Sequence, residues 1–297
     1  MTTKPTVAII GLDTSHSVEF ARLMHDPRCP TERHVSGLSA ATCLRFPSPF
    51  QSEEGQDGRQ KQMEQWGVRV TRDFEEAIDG CDAIMIEIND PSLHLDYFTR
   101  CAGLGKPIFL DKPLADTLEN GLKILECARK NATSFYSSSN LRFSAQLDDA
   151  RLRMAEPEFA HLYGPLGIAA SGSSIVWYGV HTFEMLQKAM GRGAEKAFVH
   201  EDSAGCVCAV QYPGGRRAVA ELSHGAWALG GDLRTKDTSV PFVVNDENGL
   251  WDALLQVVRF FTTGAVPVQT EDTLEVMALL DACQRSLVSK REERVRP

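Results

Sequence analysis

The chain lacks any long hydrophobic run. Its only apolar stretch near the start, Val7–Ile10, is too short for the core of a secretory signal, and nothing approaches the ~20 apolar residues of a membrane-spanning helix. It also lacks a basic surplus. Lys and Arg number 31 against 40 Asp and Glu, a formal net charge of −9. An acidic surface without a basic stripe repels phosphate backbones, which argues against a nucleic-acid partner. There are eight cysteines but no C-x-x-C pair. Cys206 and Cys208 alternate within an apolar strand pattern, where buried thiols are the expected reading over a metal or redox site. Scattered, unpaired cysteines fit a reducing compartment. The expectation is a cytoplasmic protein with no membrane partner and no metal. No internal repeat or long low-complexity segment is visible.

What is present is the texture of a soluble α/β protein. At 297 residues, 43% hydrophobic and 24% charged, the chain is comfortable for two domains. Thr6–Ile10 is apolar and rich in β-branched residues, and it runs into Gly11, as a fully buried strand does. Asp13, Ser15 and Ser17 are N-cap candidates for a helix through His25. His34–Ala40 is expected to be a second strand, 46–60 a loop, and the residues after it a helix ending at Trp66-Gly67. A strand at Val68–Val70 and a helix at Phe74–Ile78, capped by Asp73, follow. Asp82–Ile88 and Pro107–Leu110 read as buried strands around a helix over Pro91–Cys101. A helix over Leu118–Lys130, with Leu122, Leu125 and Ala128 on one side, leads to a strand at Ser134–Ser138. Strand alternating with helix over about 130 residues predicts a doubly wound parallel sheet.

After residue 140 the pattern changes. Gly167–Ser173, Glu195–His200, Gly205–Tyr212 and Arg217–Ser223 read as strands, with Pro213-Gly214-Gly215 as a hairpin turn. Helices are expected over Thr182–Met190, Trp251–Phe261 and Thr273–Ser286, and the charged tail Lys290–Pro297 is expected to fray. The predicted fold class is α/β. A Rossmann-like doubly wound sheet over residues 1–138 precedes an α+β domain over 139–297 with an open, mainly antiparallel sheet.

Three places carry candidate chemistry. The turn after the first strand reads Gly11-Leu12-Asp13-Thr14-Ser15-His16, which keeps only the first glycine of G-x-G-x-x-G. A carboxylate beside a pyrophosphate is repulsive, by ~4 kcal/mol for unit charges about 4 Å apart at an effective dielectric of 20. Either the phosphates sit shifted, on Thr14, Ser15 and His16, or Asp13 is simply a helix cap paired to His16. The expected end of the second strand, Ser39–Ala41, offers no acid for a ribose. Arg45 could meet a 2′-phosphate, or be an exposed loop arginine.

The second place is Asp111-Lys112-Pro113, at the carboxyl end of a predicted strand, where open α/β sheets bind ligands. A desolvated lysine there can exchange a proton with a substrate hydroxyl. The alternative is a surface lysine neutralised by Asp111. The third is Trp177-Tyr178-Gly179-Val180-His181. His181 opens a helix with Glu184 three residues on, and a helix N-terminus favours the neutral imidazole, a usable general base. The alternative is a capping histidine in the domain junction.

Taken in order, these segments resemble the Gfo/Idh/MocA family of oxidoreductases. The strongest likeness is Gly105-Lys-Pro-Ile-Phe-Leu-Asp-Lys-Pro-Leu-Ala115, similar to the family's GK-x-V-x-x-EKPLA segment. Asp73-Phe-Glu-Glu-Ala-Ile, Cys81-Asp-Ala-Ile-Met-Ile, Asn89-Asp-Pro-Ser-Leu-His94, Asn140-Leu-Arg-Phe143, Gly179-Val-His-Thr-Phe-Glu184 and Glu271–Asp281 follow the family's order. The resemblance implies hydride transfer between NAD or NADP and a hydroxyl carbon of a small sugar, polyol or related molecule. Lys112 and His181 would be catalytic, and Lys112 would face the cleft between the domains. Gly11, Asp13, Thr14, Ser15, His16, Asn89, Asp111 and Lys112 would bind the cofactor. Asn140, Arg142, Trp177, Tyr178 and His181 would bind substrate, and the C-terminal sheet would build a homo-oligomer. Two departures stand out: the broken glycine fingerprint, and Trp177 where the family often has an aspartate. They support an alternative, a non-catalytic ligand-binding or regulatory protein on a dehydrogenase scaffold.

Overall fold

The structure, a computed structural model, describes residues 4–296. The chain forms two compact units. The first joins the chain up to Ala115 with Leu122–Ser137 and Leu250–Pro267, and the second joins Asp116–Gly121, Ser138–Gly249 and the chain from Val268 onward.

The first unit alternates β1 (Thr6–Ile10), α1 (Ser15–His25), β2 (Ser39–Leu44), α2 (Glu53–Gln65), β3 (Arg69–Thr71), α3 (Phe74–Ile78), β4 (Ala83–Ile86), α4 (His94–Ala102), β5 (Ile108–Asp111), α5 (Leu118–Asn131) and β6 (Phe135–Ser138). Its six strands lie in the order β3-β2-β1-β4-β5-β6, and β1 pairs in parallel with both β2 and β4. This is the expected doubly wound sheet. Strand order reverses between β1 and β4, the switch point where such sheets bind ligands. The core strands β4 and β5 are buried along their whole lengths, as parallel strands covered on both faces must be. Gly11 follows β1 with φ +114°, and a Cβ there would lie 2.2 Å from the Glu87 carbonyl oxygen. Glycine therefore lets the chain turn while β1 and β4 stay closely packed.

The second unit carries α6 (Ala145–Arg153), β7 (Phe159–Pro165), α7 (Val180–Met190), β8 (Lys196–Asp202), β9 (Gly205–Gln211), β10 (Arg217–Ser223), β11 (Gly230–Arg234) and β12 (Ser239–Val243). After α8 (Gly249–Thr263), it continues with α9 (Thr270–Ser289) and β13 (Glu293–Arg294). Its seven strands run β12-β11-β7-β10-β9-β8-β13, antiparallel except for the β10–β7 pair. α8 groups with the first unit, where the Phe260 ring meets Tyr136 edge-on at 5.2 Å.

Several local expectations need correction. The second strand starts at Ser39, not His34, because a short helical turn over Thr31–Arg33 delays it. α2 begins at Glu53 inside the expected loop. Ser52 caps it, and buried Gln56, whose amide donates to the Phe46 carbonyl, holds it despite Gly55 and Gly58. Thr14, not Asp13, Ser15 or Ser17, caps α1. On α5 the buried positions are Ile124 and Ala128, and Leu122 is exposed. Gly167–Ser173 is a loop, and the strand expected there is β7 instead. The tail does not simply fray, since Glu293 and Arg294 pair with β8; Pro297 lies outside the described residues.

Gly11→Ala tests the closeness of β1 and β4. Backbone overlap and the left-handed φ together should destabilise the protein by about 2–4 kcal/mol in chemical denaturation. A loss below half a kcal/mol would contradict the close approach.

Candidate functional site

Because β1, β4 and β5 are adjacent and parallel, the residues at and beyond their carboxyl ends converge on one edge of the sheet. Asp111 is the hub. Its Oδ2 lies 2.8 Å from His16 Nδ1, brought by the first turn of α1, and 3.7 Å from Lys112 Nζ. Burial alone raises the Asp111 carboxyl, but His16 and Lys112 outweigh it and hold the group well below the usual carboxylate range. Lys112 is only 7% exposed, so it is not a surface lysine. The turn that carries it, with a cis Lys112–Pro113 peptide, is pinned by His94. The two ring nitrogens of this buried histidine lie 2.8 Å from the carbonyl oxygens of Pro113 and Ile88.

Asp13 is turned into the fold. Its Oδ1 accepts the Asn89 N–H at 3.0 Å and its Oδ2 accepts the Ser48 hydroxyl at 2.6 Å, while the Asn89 side-chain amide donates to the Asp13 carbonyl. It is not the partner of His16, which binds Asp111. Burial raises the Asp13 carboxyl above its ordinary range, against those two hydrogen bonds. No acid lies in the first turn of α1, Thr14 Oγ1 accepts the His16 N–H, and Ser15 is exposed. A helix N-terminus so arranged suits a phosphate, so the altered loop remains compatible with a dinucleotide.

Arg45 comes directly after β2 and is 4% exposed, not the exposed loop residue of one reading. Its guanidinium is held by Glu53, Asp57 and Gln60. The later start of β2 is what brings Arg45, instead of Ser39–Ala41, to the strand end.

One residue at this edge escaped the sequence reading. Glu87 follows β4, has no exposure, and neither of its carboxylate oxygens has a hydrogen-bond partner. Burial and nearby Asp111 push its carboxyl well above the usual range, with Lys112 pulling the other way. The buried hydroxyl of Tyr136 also lacks a partner. The available signal was an acid inside the otherwise apolar run Ala83-Ile-Met-Ile-Glu-Ile88.

In the second unit, His181 is the second residue of α7, which follows a wide helical turn over Ile175–Gly179. Its Nδ1 lies 2.6 Å from the Ser139 hydroxyl. The Ser139 N–H donates to Glu184 Oε1, so His181 and Glu184 meet at one serine that the sequence reading did not single out. Arg142 lies in a short helical turn over Asn140–Phe143. Its guanidinium donates to Glu184 at 2.9 Å and Gln187 at 2.6 Å. Burial raises the Glu184 carboxyl, and Arg142 opposes that shift. Asn140 is buried beside Ser139. The Tyr178 ring stands edge-on to His181 at 5.0 Å and to Trp227 at 5.9 Å, and it lies 5.3 Å from Trp177.

Comparison with known proteins agrees with this architecture. The sequence profile of an oxidoreductase family with an NAD-binding Rossmann fold, Gfo/Idh/MocA, matches residues 6–138. No curated protein matches by sequence. Among solved structures, myo-inositol 2-dehydrogenase from Lactobacillus plantarum superposes with a TM-score of 0.81 at 14% identity, over 99% of this chain and 100% of that one. A myo-inositol dehydrogenase from Corynebacterium glutamicum gives 0.79 at 15%, over 99% of each. A protein of gentamicin A biosynthesis, crystallised with NAD, gives 0.80 at 14%, over 100% of this chain and 98% of that one. At these identities the likeness is one of fold.

Asp13→Asn keeps the shape and removes the buried charge. Because the folded-state pKa of Asp13 is raised, the native carboxylate costs stability as pH rises from about 4, the unfolded value, through its folded value. Thermal melts should therefore show Asp13→Asn gaining on the parent as pH rises from 4 to 7, with no gain below 4. A gain independent of pH would contradict a buried charge at this position.

Proposed function

We propose that this chain, whose residues 6–138 match the Gfo/Idh/MocA oxidoreductase family with its NAD-binding Rossmann fold, is an NAD(P)-dependent oxidoreductase. Its reaction would move hydride between the nicotinamide and a hydroxyl-bearing carbon of a small sugar, polyol or related molecule. The observation that carries the reading is the His16–Asp111–Lys112 chain, with its acid and lysine buried, at the carboxyl edge of the sheet. The non-catalytic alternative gains nothing from Asp13, whose carboxylate faces Ser48 and Asn89.

In this reading the Gly11 turn with Thr14, Ser15 and His16 holds the pyrophosphate, and Asp13 shapes that turn from beneath through Asn89. Asn89, Asp111 and Lys112 orient the nicotinamide end. Bound there, NAD(P) supplies the hydride acceptor or donor. Lys112 meets the substrate hydroxyl. It either takes the hydroxyl proton as hydride leaves the carbon, or holds the developing alkoxide by its charge. Asp111 fixes the lysine's position. His181, its ring oriented by Ser139, is the second candidate for the proton. Asn140, Trp177 and Tyr178 contact substrate, and Arg142 braces that region through Glu184 and Gln187. Trp177 carries no exchangeable acid, so it is no candidate for the proton. The functional division falls at 138/139, with α8 a structural addition to the first unit.

We extend the proposal to assembly and setting. The sheet of the second unit presents Phe198 and Val207 at 38% and 42% exposure on neighbouring strands, which supports a homo-oligomer built through that sheet. All eight cysteines are free thiols, and among the described residues no helix is long and apolar enough to cross a membrane. Both facts are consistent with the cytoplasm.

Titration with NADH and NADPH, followed by nicotinamide fluorescence, tests the cofactor reading; no binding of either at millimolar concentration would end it. Lys112→Ala should lower turnover about 10²–10⁴-fold, the usual range for a proton-transfer group, with NADH affinity changed far less. A Lys112→Ala, His181→Ala double variant reports whether the two residues serve one step, since losses that fail to multiply mark a shared role. Light scattering of Phe198→Glu should show dissociation to monomers, and an unchanged mass would remove the sheet as the interface.

A further inference from the structure

We propose that His16, Glu87 and Asp111 form a binding site for one divalent transition-metal ion. His16 Nδ1, a carboxylate oxygen of Glu87 and one of Asp111 lie within 4.8 Å of one another, and both acids are buried. The feature that demands a ligand is Glu87, fully buried beside another carboxylate with neither oxygen partnered. Buried carboxylates are neutralised by a proton or by a cation. A shared proton would draw Glu87 and Asp111 into a short acid–carboxylate hydrogen bond, as in paired-carboxylate sites. Neither Glu87 oxygen makes such a bond. Metal–ligand distances of about 2.0–2.2 Å put neighbouring donor atoms roughly 3–3.5 Å apart. The His16–Asp111 pair, at 2.8 Å, already approaches that spacing, and Glu87 closes the set with a modest side-chain movement.

One imidazole nitrogen with two carboxylate oxygens is a borderline-hard donor set, suited to Zn²⁺, Mn²⁺, Fe²⁺ or Co²⁺ in preference to soft ions. Lys112 Nζ, 3.7 Å from the same Asp111 oxygen, works against the ion. Affinity should therefore be moderate and should rise when that charge is removed. The site joins the strand ends of β4 and β5 to the start of α1. An ion there would lock the floor beneath Lys112.

Chelator-treated protein without nucleotide is titrated with ZnCl₂ by calorimetry and with CoCl₂ by visible absorption. Omitting nucleotide separates this test from the cofactor reading. The expected result is one saturable equivalent and a raised melting temperature. Glu87→Gln and His16→Gln should each weaken binding by at least about tenfold, and Lys112→Met should tighten it. Circular dichroism checks that the variants fold. Should they not, an exchangeable imidazole proton shifted by bound Co²⁺ in the parent protein gives the same support by NMR. Absence of saturable binding at millimolar metal, or binding unchanged in a folded Glu87→Gln, overturns the proposal. In that case a carboxylic-acid carbonyl band in the infrared, lost in Glu87→Gln, would assign the neutralising charge to a proton.

Discussion

The first unit is organised around a single buried carboxylate. Asp111 ends β5 at 3% exposure and stays ionised only because His16 and Lys112 reach it. Each contact depends on a different part of the fold. His16 arrives because β1 lies two places from β5 and α1 starts over the sheet edge, which needs the turn at Gly11. Lys112 is held back against its neighbour by a turn that His94 ties to the end of β4. Removing a counter-charge from a buried acid costs far more than an exposed ion pair is worth. The arrangement of β1, β4 and β5 and the position of Lys112 are therefore coupled.

The second unit treats its acid in the same way. Glu184 is as buried as Asp111, and Arg142 and the Ser139 N–H satisfy it. Ser139 in turn orients His181. In each unit, then, the side chain proposed to handle a proton is held by a buried partner. Asp13 is likewise satisfied, by Ser48 and Asn89. Against this pattern Glu87 is the exception: it has the burial of the other acids and no partner.

Local periodicity made much of the architecture legible. β1, α3 and β10 have the bounds their patterns predict, because each is a run of one period with clear breakers at its ends. The first sheet followed from alternation alone. Errors arose where a local signal was outweighed by packing. Gly55 and Gly58 read as loop, yet Ser52, Gln56 and Met63 anchor a helix through them. Gly167–Ser173 has strand-like residues but no partner strand, and the pairing goes to Phe159–Pro165, between β10 and β11. The tail reads as solvated charge until Glu293 and Arg294 find the edge of β8.

The sequence by itself determined the order of elements in the first unit, the two-part organisation, and the place of Lys112 at a strand end, because these depend on residue spacing and short-range geometry. Tertiary structure decided who meets whom. It turned Asp13 toward Ser48 and gave His16 to Asp111, 95 residues away. It closed Glu53, Asp57 and Gln60 around Arg45, and it left Glu87 buried without a partner. Such pairings depend on which strand ends share an edge and which side chains lose their water there, and neither is encoded in any local stretch of the chain.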